Sequence, residues 1–392
     1  MKLKNKIIKI AALALAAVVL MPIGINAQEN KGLSLTIDAK AAVIMEASSG
    51  EIIFEQKGDE RLAPASVTKV MTMLLIYEAL AQNRIGWEDV VTVSEHAASM
   101  GGSQVYLEVG EQQTVRDLVK SVVIASANDG AVALAEFISG SEESFVDLMN
   151  KKAKALGMEN TSFRNACGLD ADGHFTTAHD IAIMSREIIT KYPEVREYAT
   201  TWMDTIVHKT ARGEEEFGLT NTNKLVKWYT GITGLKTGST SQAMYCLAAT
   251  ASKGDMELIA VVLGAPNPTV RFQEAMKMLD YGYANYKVVK GELPGTVVGA
   301  IPVSKGKEAE VAVVVESLIS NVTEKGSNGE LESQIVINES VQAPTDAGTV
   351  AGEIIYTYEG TEIGRSPLVT EEAVEKAGFA DMAVRVLEIW LK

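Results

Sequence analysis

A chain of 392 residues with 51 acidic side chains against 36 Lys and Arg carries a formal net charge of −15. So acidic a chain excludes nucleic acid as a partner, because binding to phosphate draws its affinity from Lys and Arg. Two cysteines are too few for a disulfide framework and both are expected free; His96, His174, His179 and His208 lack metal-site spacing, so neither a metal nor a cofactor is expected.

Residues 1–27 read as a secretory signal: Lys2, Lys4, Lys6 and Lys9 precede an apolar run from Ile10 to Met21, and Ala27 offers a small residue for cleavage. That run is short for a bilayer core of about 30 Å. The segment holds four Lys and no acid, so its removal takes the net charge from −15 to −19. What remains is long enough for two domains.

Leu35–Met45 and Glu51–Gln56, apolar-rich runs flanking Ser48-Ser49-Gly50, predict a β-hairpin. Pro64-Ala65-Ser66 leads into Val67–Ala81, rich in Met and Leu without Gly or Pro. A helix starting at Ser66 is predicted, with Lys69 on the same face one turn later. Thr114 is placed to cap a helix running to about Ala125, and Asp129 opens another that ends near Gly140. Ser126-Ala127-Asn128 is thus a polar break between two core-like segments, and its side chains are expected to face a site.

A second hairpin is predicted from Ala243–Ala251 and Glu257–Gly264, joined through Ser252-Lys253-Gly254-Asp255. Strands at both ends with helices between them give an α+β layout over residues 30–286, one antiparallel sheet closed by the two ends of the domain. After about Tyr286 the texture changes to β-branched runs punctuated by glycines: Thr296–Val303, Ala309–Val315, Gln334–Ile337 and Ile354–Tyr358. These predict a small β-rich domain over 287–370. Residues 371–392 are expected to form an amphipathic helix. Asp381, Arg385, Glu388 and Lys392 take one face, with Met382, Ala383, Val386, Leu387, Ile389, Trp390 and Leu391 on the other. A peripheral membrane contact through 371–392 would rest on apolar area alone, since acids outnumber bases there.

Three strings carry the chemistry: Ser66-Val67-Thr68-Lys69, Ser126-Ala127-Asn128 60 residues later, and Lys236-Thr237-Gly238 after a further 110. A Ser-X-X-Lys pattern alone should occur roughly once or twice in such a chain. Ser304-Lys305-Gly306-Lys307 is indeed a second copy, in a charge-rich stretch past the other motifs, and reads as surface. The order of the trio points to an acyl-serine hydrolase. A serine hydroxyl is a weak nucleophile that needs a base, and Lys69 can serve if burial or a neighbouring cation keeps its amine neutral. Lys236 is the candidate neighbour. Thr237 and Gly238 are expected on a strand edge that an extended peptide can join, with Gly238 leaving room for it.

These motifs, with Asn165-Ala166-Cys167-Gly168-Leu169-Asp170 between the second and third, resemble the serine-type D-alanyl-D-alanine carboxypeptidases, the low-molecular-mass penicillin-binding proteins of bacterial cell-wall maintenance. The likeness spans about residues 34–370. It implies a β-lactamase/transpeptidase-like domain, a small all-β domain and a terminal amphipathic helix, outside the cytoplasmic membrane. It also implies removal of the terminal D-alanine from peptidoglycan pentapeptide through an acyl-Ser66 intermediate that penicillin traps.

By the same resemblance the amides of Ser66 and Ser239 form the oxyanion hole, Ser126 hands a proton to the departing amine, and Asn128 holds a substrate carbonyl and steadies Lys69. Arg271, matched by its spacing from Lys236, pairs with the substrate's terminal carboxylate through its fork of donors. Two features depart from the family pattern: Ser239 stands where many members carry an aromatic or His, and the terminal helix is not basic. Three alternatives stay open: a β-lactamase, a D,D-endopeptidase or transpeptidase, and a non-catalytic penicillin-sensing wall protein. The first lacks its deacylating Glu-X-X-Leu-Asn string, since Glu159 is followed by Asn160-Thr161-Ser162. The last would not need both Lys69 and Lys236.

Overall fold

The computed structural model describes residues 35–390, apart from 211–212, 292–296 and 328. The predicted signal segment, residues 1–27, lies outside the described residues.

Strand β1 (Ala41–Glu46) is buried along its whole length, so it needs a neighbour on each side and cover on both faces. It pairs with β2 (Ile52–Gln56) through the first predicted hairpin and, on its other side, with the distant β5 (Met256–Ala265), Ala42 opposite Val262. Adding β4 (Met244–Lys253) and β3 (Ile232–Thr240) gives an antiparallel sheet in the order β2-β1-β5-β4-β3. The early and late hairpins therefore meet in the middle of the sheet. Strand β3 is left at its edge.

Ser66 begins no α-helix. It lies in a 3-10 turn, Ala65–Thr68, and α1 starts at Lys69 and runs to Ala81. Ala65 turns the chain with φ +49°, which postpones the helical ladder. Ten of the thirteen residues of α1 are buried, the signature of a helix that is apolar nearly all round and sits inside the core. Helix α2 (Val115–Ile124) is capped as predicted, the Thr114 hydroxyl accepting from the Asp117 N–H. Helix α3 (Asn128–Ser139) starts one residue before the expected Asp129 and stops at Gly140, whose φ of +81° suits a glycine. Helix α4 (Pro268–Asn285) combines an Asn267 cap with proline in its first turn.

Past α4 a ribbon of Tyr286–Lys290 and Ser320–Glu324 touches the first hairpin: Ser320 Oγ lies 2.6 Å from Ser48 Oγ, and Glu51 Oε2 accepts the Val322 N–H at 3.1 Å. A second sheet of six strands follows, from Val297–Ser304 to Thr361–Thr370. Its core is separate, built on Ile301, Val313, Ile354, Tyr356 and Leu368.

The terminal helix is shorter than the expected 371–392. Glu371–Gly378 is a strap on the β-domain: Glu371 N–H donates to Ala312 O, Val374 exchanges backbone bonds with Thr345 at 2.8 and 3.0 Å, and Ala377 N–H donates to Lys305 O. Backbone hydrogen bonds committed to the sheet are lost to a helix, so helix α5 (Phe379–Trp390) begins only beyond them. Among the described residues no helix is long and apolar enough to cross a membrane.

Candidate active site

The positive φ at Ala65 has a counterpart in the second motif, where Ser126 has φ +65°. For residues with a Cβ these cost about 1–3 kcal/mol each and persist only where the surroundings enforce them. The first turn presents the Ser66 hydroxyl to Lys69, whose Nζ lies 3.0 Å away. Lys69 is wholly buried, and burial lowers its pKa from 10.5 to about 8 against the opposing pull of Cys167 and Asp129.

Nζ also reaches Asn128 Oδ1 at 2.6 Å and the Cys167 carbonyl at 2.7 Å. Both are acceptors. A neutral amine has two N–H bonds and one lone pair; those two oxygens take the hydrogens, and the lone pair is left facing the Ser66 hydroxyl.

Asn128 is itself pinned, Nδ2 donating to Gly101 O at 2.6 Å and its backbone N–H to Ser103 O at 2.7 Å. One amide hydrogen remains for anything else. Its neighbour Asp129, fully buried at the first turn of α3, accepts the N–H groups of Val105, Leu107 and Gly130. Together they hold the 101–107 segment against the site. Ser126 is 3% exposed, and its hydroxyl is bonded to none of Ser66, Lys69 and Lys236, whose bonds go elsewhere.

On β3, Lys236 is buried and donates to Thr237 O at 3.2 Å. Its pKa is driven well down by burial and then by the charges of Lys69 and Arg271. Burial, not Lys236, is what lowers Lys69. Thr237 Oγ1 donates to Thr222 Oγ1 at 2.7 Å.

Gly238 leaves no open room. A Cβ there would stand 2.9 Å from Ser66 N and 3.0 Å from Pro64 O, so the missing side chain lets the edge strand close on the turn that carries Ser66. Ser239 is exposed beside a cavity of about 330 Å³ that it lines with Thr240, Ser241, Met244 and Tyr245. Arg271, 9% exposed on α4, donates through Nη1 to Gly238 O at 3.0 Å, and its Nε is buried without a partner. It reaches the site from behind β3.

The Asn165–Asp170 loop forms the remaining wall. Asn165 Oδ1 accepts three successive N–H groups, from Cys167, Gly168 and Leu169 at 3.3, 2.6 and 3.2 Å. Gly168 has φ +87° and a Cβ there would fall 1.9 Å from Ala65 O. At its far end Asp170 accepts from Thr240 Oγ1 on β3 at 2.7 Å. The contribution of Cys167 is its carbonyl, which no side-chain motif announces; the Asn in Asn-Ala-Cys-Gly, a ready acceptor for a tight turn, is the one readable sign. Both cysteines are free and buried. Ser304 is exposed and Lys307 is paired with Glu375, so the second Ser-X-X-Lys is surface. No cluster of metal-binding side chains occurs among the described residues.

Residues 26–267 match the family model described as D-alanyl-D-alanine carboxypeptidase, and residues 287–376 that of the penicillin-binding protein 5 C-terminal domain. The chain is 43% identical over 367 residues to D-alanyl-D-alanine carboxypeptidase DacF of Bacillus subtilis, covering 93% of each. It is 37% identical to D-alanyl-D-alanine carboxypeptidase DacC of Escherichia coli, covering 88% of this chain and 86% of that one. Among solved structures, penicillin-binding protein 5 from Haemophilus influenzae aligns with a TM-score of 0.75 at 32% identity, over 88% of this chain and 100% of the other. With a serine bonded to a buried lysine against an edge strand and both parts of its length matched, the chain belongs to the serine-type D-alanyl-D-alanine carboxypeptidases, the low-molecular-mass penicillin-binding proteins.

Proposed function

We propose that Ser66 is the residue acylated when this carboxypeptidase removes the terminal D-alanine of the peptidoglycan stem pentapeptide, with Lys69 as its base. Ser66 Oγ attacks the carbonyl of the penultimate D-alanine while its proton passes to Lys69 Nζ. The oxyanion rests on the Ser66 and Ser239 amides. On collapse the C–N bond breaks, and Ser126 relays a proton to the leaving amine of D-alanine. Water then cleaves the ester, returning the proton to Ser66. Lys236 supplies positive charge, Asn128 steadies Lys69 and holds a substrate carbonyl, Thr237 and Gly238 offer the strand edge, and Arg271 attracts the terminal carboxylate. A β-lactam opens onto Ser66 by the same attack, but its amine stays tethered.

The observation that carries this reading is Lys69: fully buried, 3.0 Å from Ser66 Oγ, with both amine hydrogens assigned to carbonyl oxygens. Fluorescent penicillin and a diacetyl-Lys-D-Ala-D-Ala substrate test it. Wild type is expected to label at Ser66 and release D-alanine, and Ser66→Ala to do neither. Label that persists on Ser66→Ala, or that maps to Ser304, overturns the assignment.

The substrate lies outside the cytoplasmic membrane, in keeping with an export role for residues 1–27. Exposed Phe379 and Met382, one turn apart on α5, support a peripheral contact with lipid, nearly insensitive to salt because the segment has no basic excess.

A further inference from the structure

His174 takes no part in the steps above, yet it lies one hydrogen bond from the Ser66–Lys69 turn. It is 5% exposed. Its Nδ1 accepts the Arg164 N–H at 3.2 Å, and the accepting nitrogen of a neutral imidazole carries no hydrogen. Nε2 therefore bears the proton and donates to Thr68 Oγ1 at 2.9 Å. Phe163 packs edge-on against the ring with centroids 5.9 Å apart.

Thr68, Lys69 and Thr72 lie along one side of the start of α1, and each bonds the segment 164–174 that carries this loop. Thr72 Oγ1 donates to Ala166 O at 2.6 Å, Lys69 Nζ to Cys167 O at 2.7 Å, and Thr68 accepts from His174. Gly168 fits between them, the space of its absent Cβ filled by Ala65 O and Thr68 Oγ1 at 1.9 and 2.9 Å. With so little slack, a displacement of the loop at Thr68 is passed to the Cys167 carbonyl, one of the two oxygens that orient the Lys69 amine. Packing beside Phe163 needs only a ring. The Arg164 N–H and the Thr68 hydroxyl need an acceptor and a donor.

We infer that His174 is a positioning residue for acylation: as a neutral donor to Thr68 it keeps the loop bearing the Cys167 carbonyl in register with the Ser66–Lys69 turn, and so aims the Lys69 lone pair at the Ser66 hydroxyl. This rests on Lys69 being the base, which the Ser66 and Lys69 variants test separately.

The test measures the second-order rate of acylation by fluorescent penicillin, with circular dichroism to verify folding, on the full-length enzyme. His174→Phe, which keeps a ring but neither polar function, is expected to slow acylation about tenfold or more, the penalty of a buried group left unpaired. His174→Gln, with one donor and one acceptor at similar reach, is expected to stay within about threefold of wild type. Thr68→Val breaks the bond from the other side and is expected to match His174→Phe, with the double variant no slower than either single one. A folded His174→Phe at the wild-type rate overturns the inference. So does Gln as slow as Phe, or losses that add in the double variant. If His174→Phe fails to fold, Thr68→Val at the wild-type rate overturns it alone.

Discussion

The catalytic domain and the C-terminal β-domain bury different things. Around the site the interior holds Lys69, Asp129, Lys236 and Arg271, each 9% exposed or less, whereas the buried polar side chains among the described residues of the β-domain are Thr345, Ser366 and Thr370, none of them charged. Taking an ion out of water is costly unless hydrogen bonds replace the lost hydration. Among the described residues the buried Lys and Arg side chains are Lys69, Lys236 and Arg271, all at the site, while buried carboxylates also occur away from it, at Glu46, Glu111 and Asp180; the β-domain, with no reaction to run, avoids both. Buried positive charge here marks chemistry.

Removing the proposed base should give the largest break in that contrast. Lys69→Ala is expected to lower acylation about 10²- to 10⁴-fold while the protein stays folded. In wild type the acylation rate should climb as pH rises toward about 8, where Lys69 loses its proton, and level off above it. A rate independent of pH between 6 and 9 would mean that another group takes the proton from Ser66.

Next is the neutral imidazole. Burial holds the pKa of His174 at about 4 against 6.5 in water, with Arg164 also lowering it and Asp170 opposing. Between those values the unfolded chain binds the proton that the folded one refuses, so stability falls as pH drops from above 6.5 toward 4, by on the order of 3 kcal/mol. Urea midpoints at pH 7.5 and 4.5 check this: His174→Gln should lose much less stability over the interval than wild type. Equal losses would show that His174 is not the group responsible.

Arg271→Ala is expected to lower kcat/KM by roughly thirtyfold, the cost of leaving a desolvated carboxylate unpaired. Because Arg271 also donates to Gly238 O, two contributions need separating. An amidated substrate without the carboxylate should narrow the gap between variant and wild type; an unchanged gap would assign the whole effect to support of β3.

The smallest effect belongs to the end of the chain. Truncation after Gly378 keeps the strap that ties Val374 to Thr345 and should leave acylation unchanged while abolishing cosedimentation with liposomes. Equal cosedimentation of both forms would exclude α5 as the anchor.

Much of the catalytic domain was legible because its signals are local: hairpins flanking turn residues, the Thr114 cap, the Gly140 stop and an all-apolar central helix. Ser66, Lys69, Asn128 and the Lys236–Ser239 strand meet as their motifs implied. What stayed hidden depends on backbone atoms and distant partners. The Cys167 carbonyl has no residue-type signature beyond the turn-forming Asn165 before it, and His174 looked like one of four scattered histidines until Thr68 came beside it. The start of α5 was misplaced for a related reason: an amphipathic pattern does not reveal that Glu371–Gly378 has already given its backbone bonds to a sheet. Gly238 was expected to make space for substrate, and the strand fills that space with protein.

That last contact limits how the enzyme can change by mutation. Strand β3 and the Ser66 turn share a seam with no clearance, 2.9 Å from the site of an absent methyl to Ser66 N. Even Gly238→Ala would wedge both walls apart together, disturbing attack on natural peptide and on β-lactam alike. Tuning of one reaction against the other is therefore excluded from the seam and left to exposed positions beyond it, Ser239 first among them.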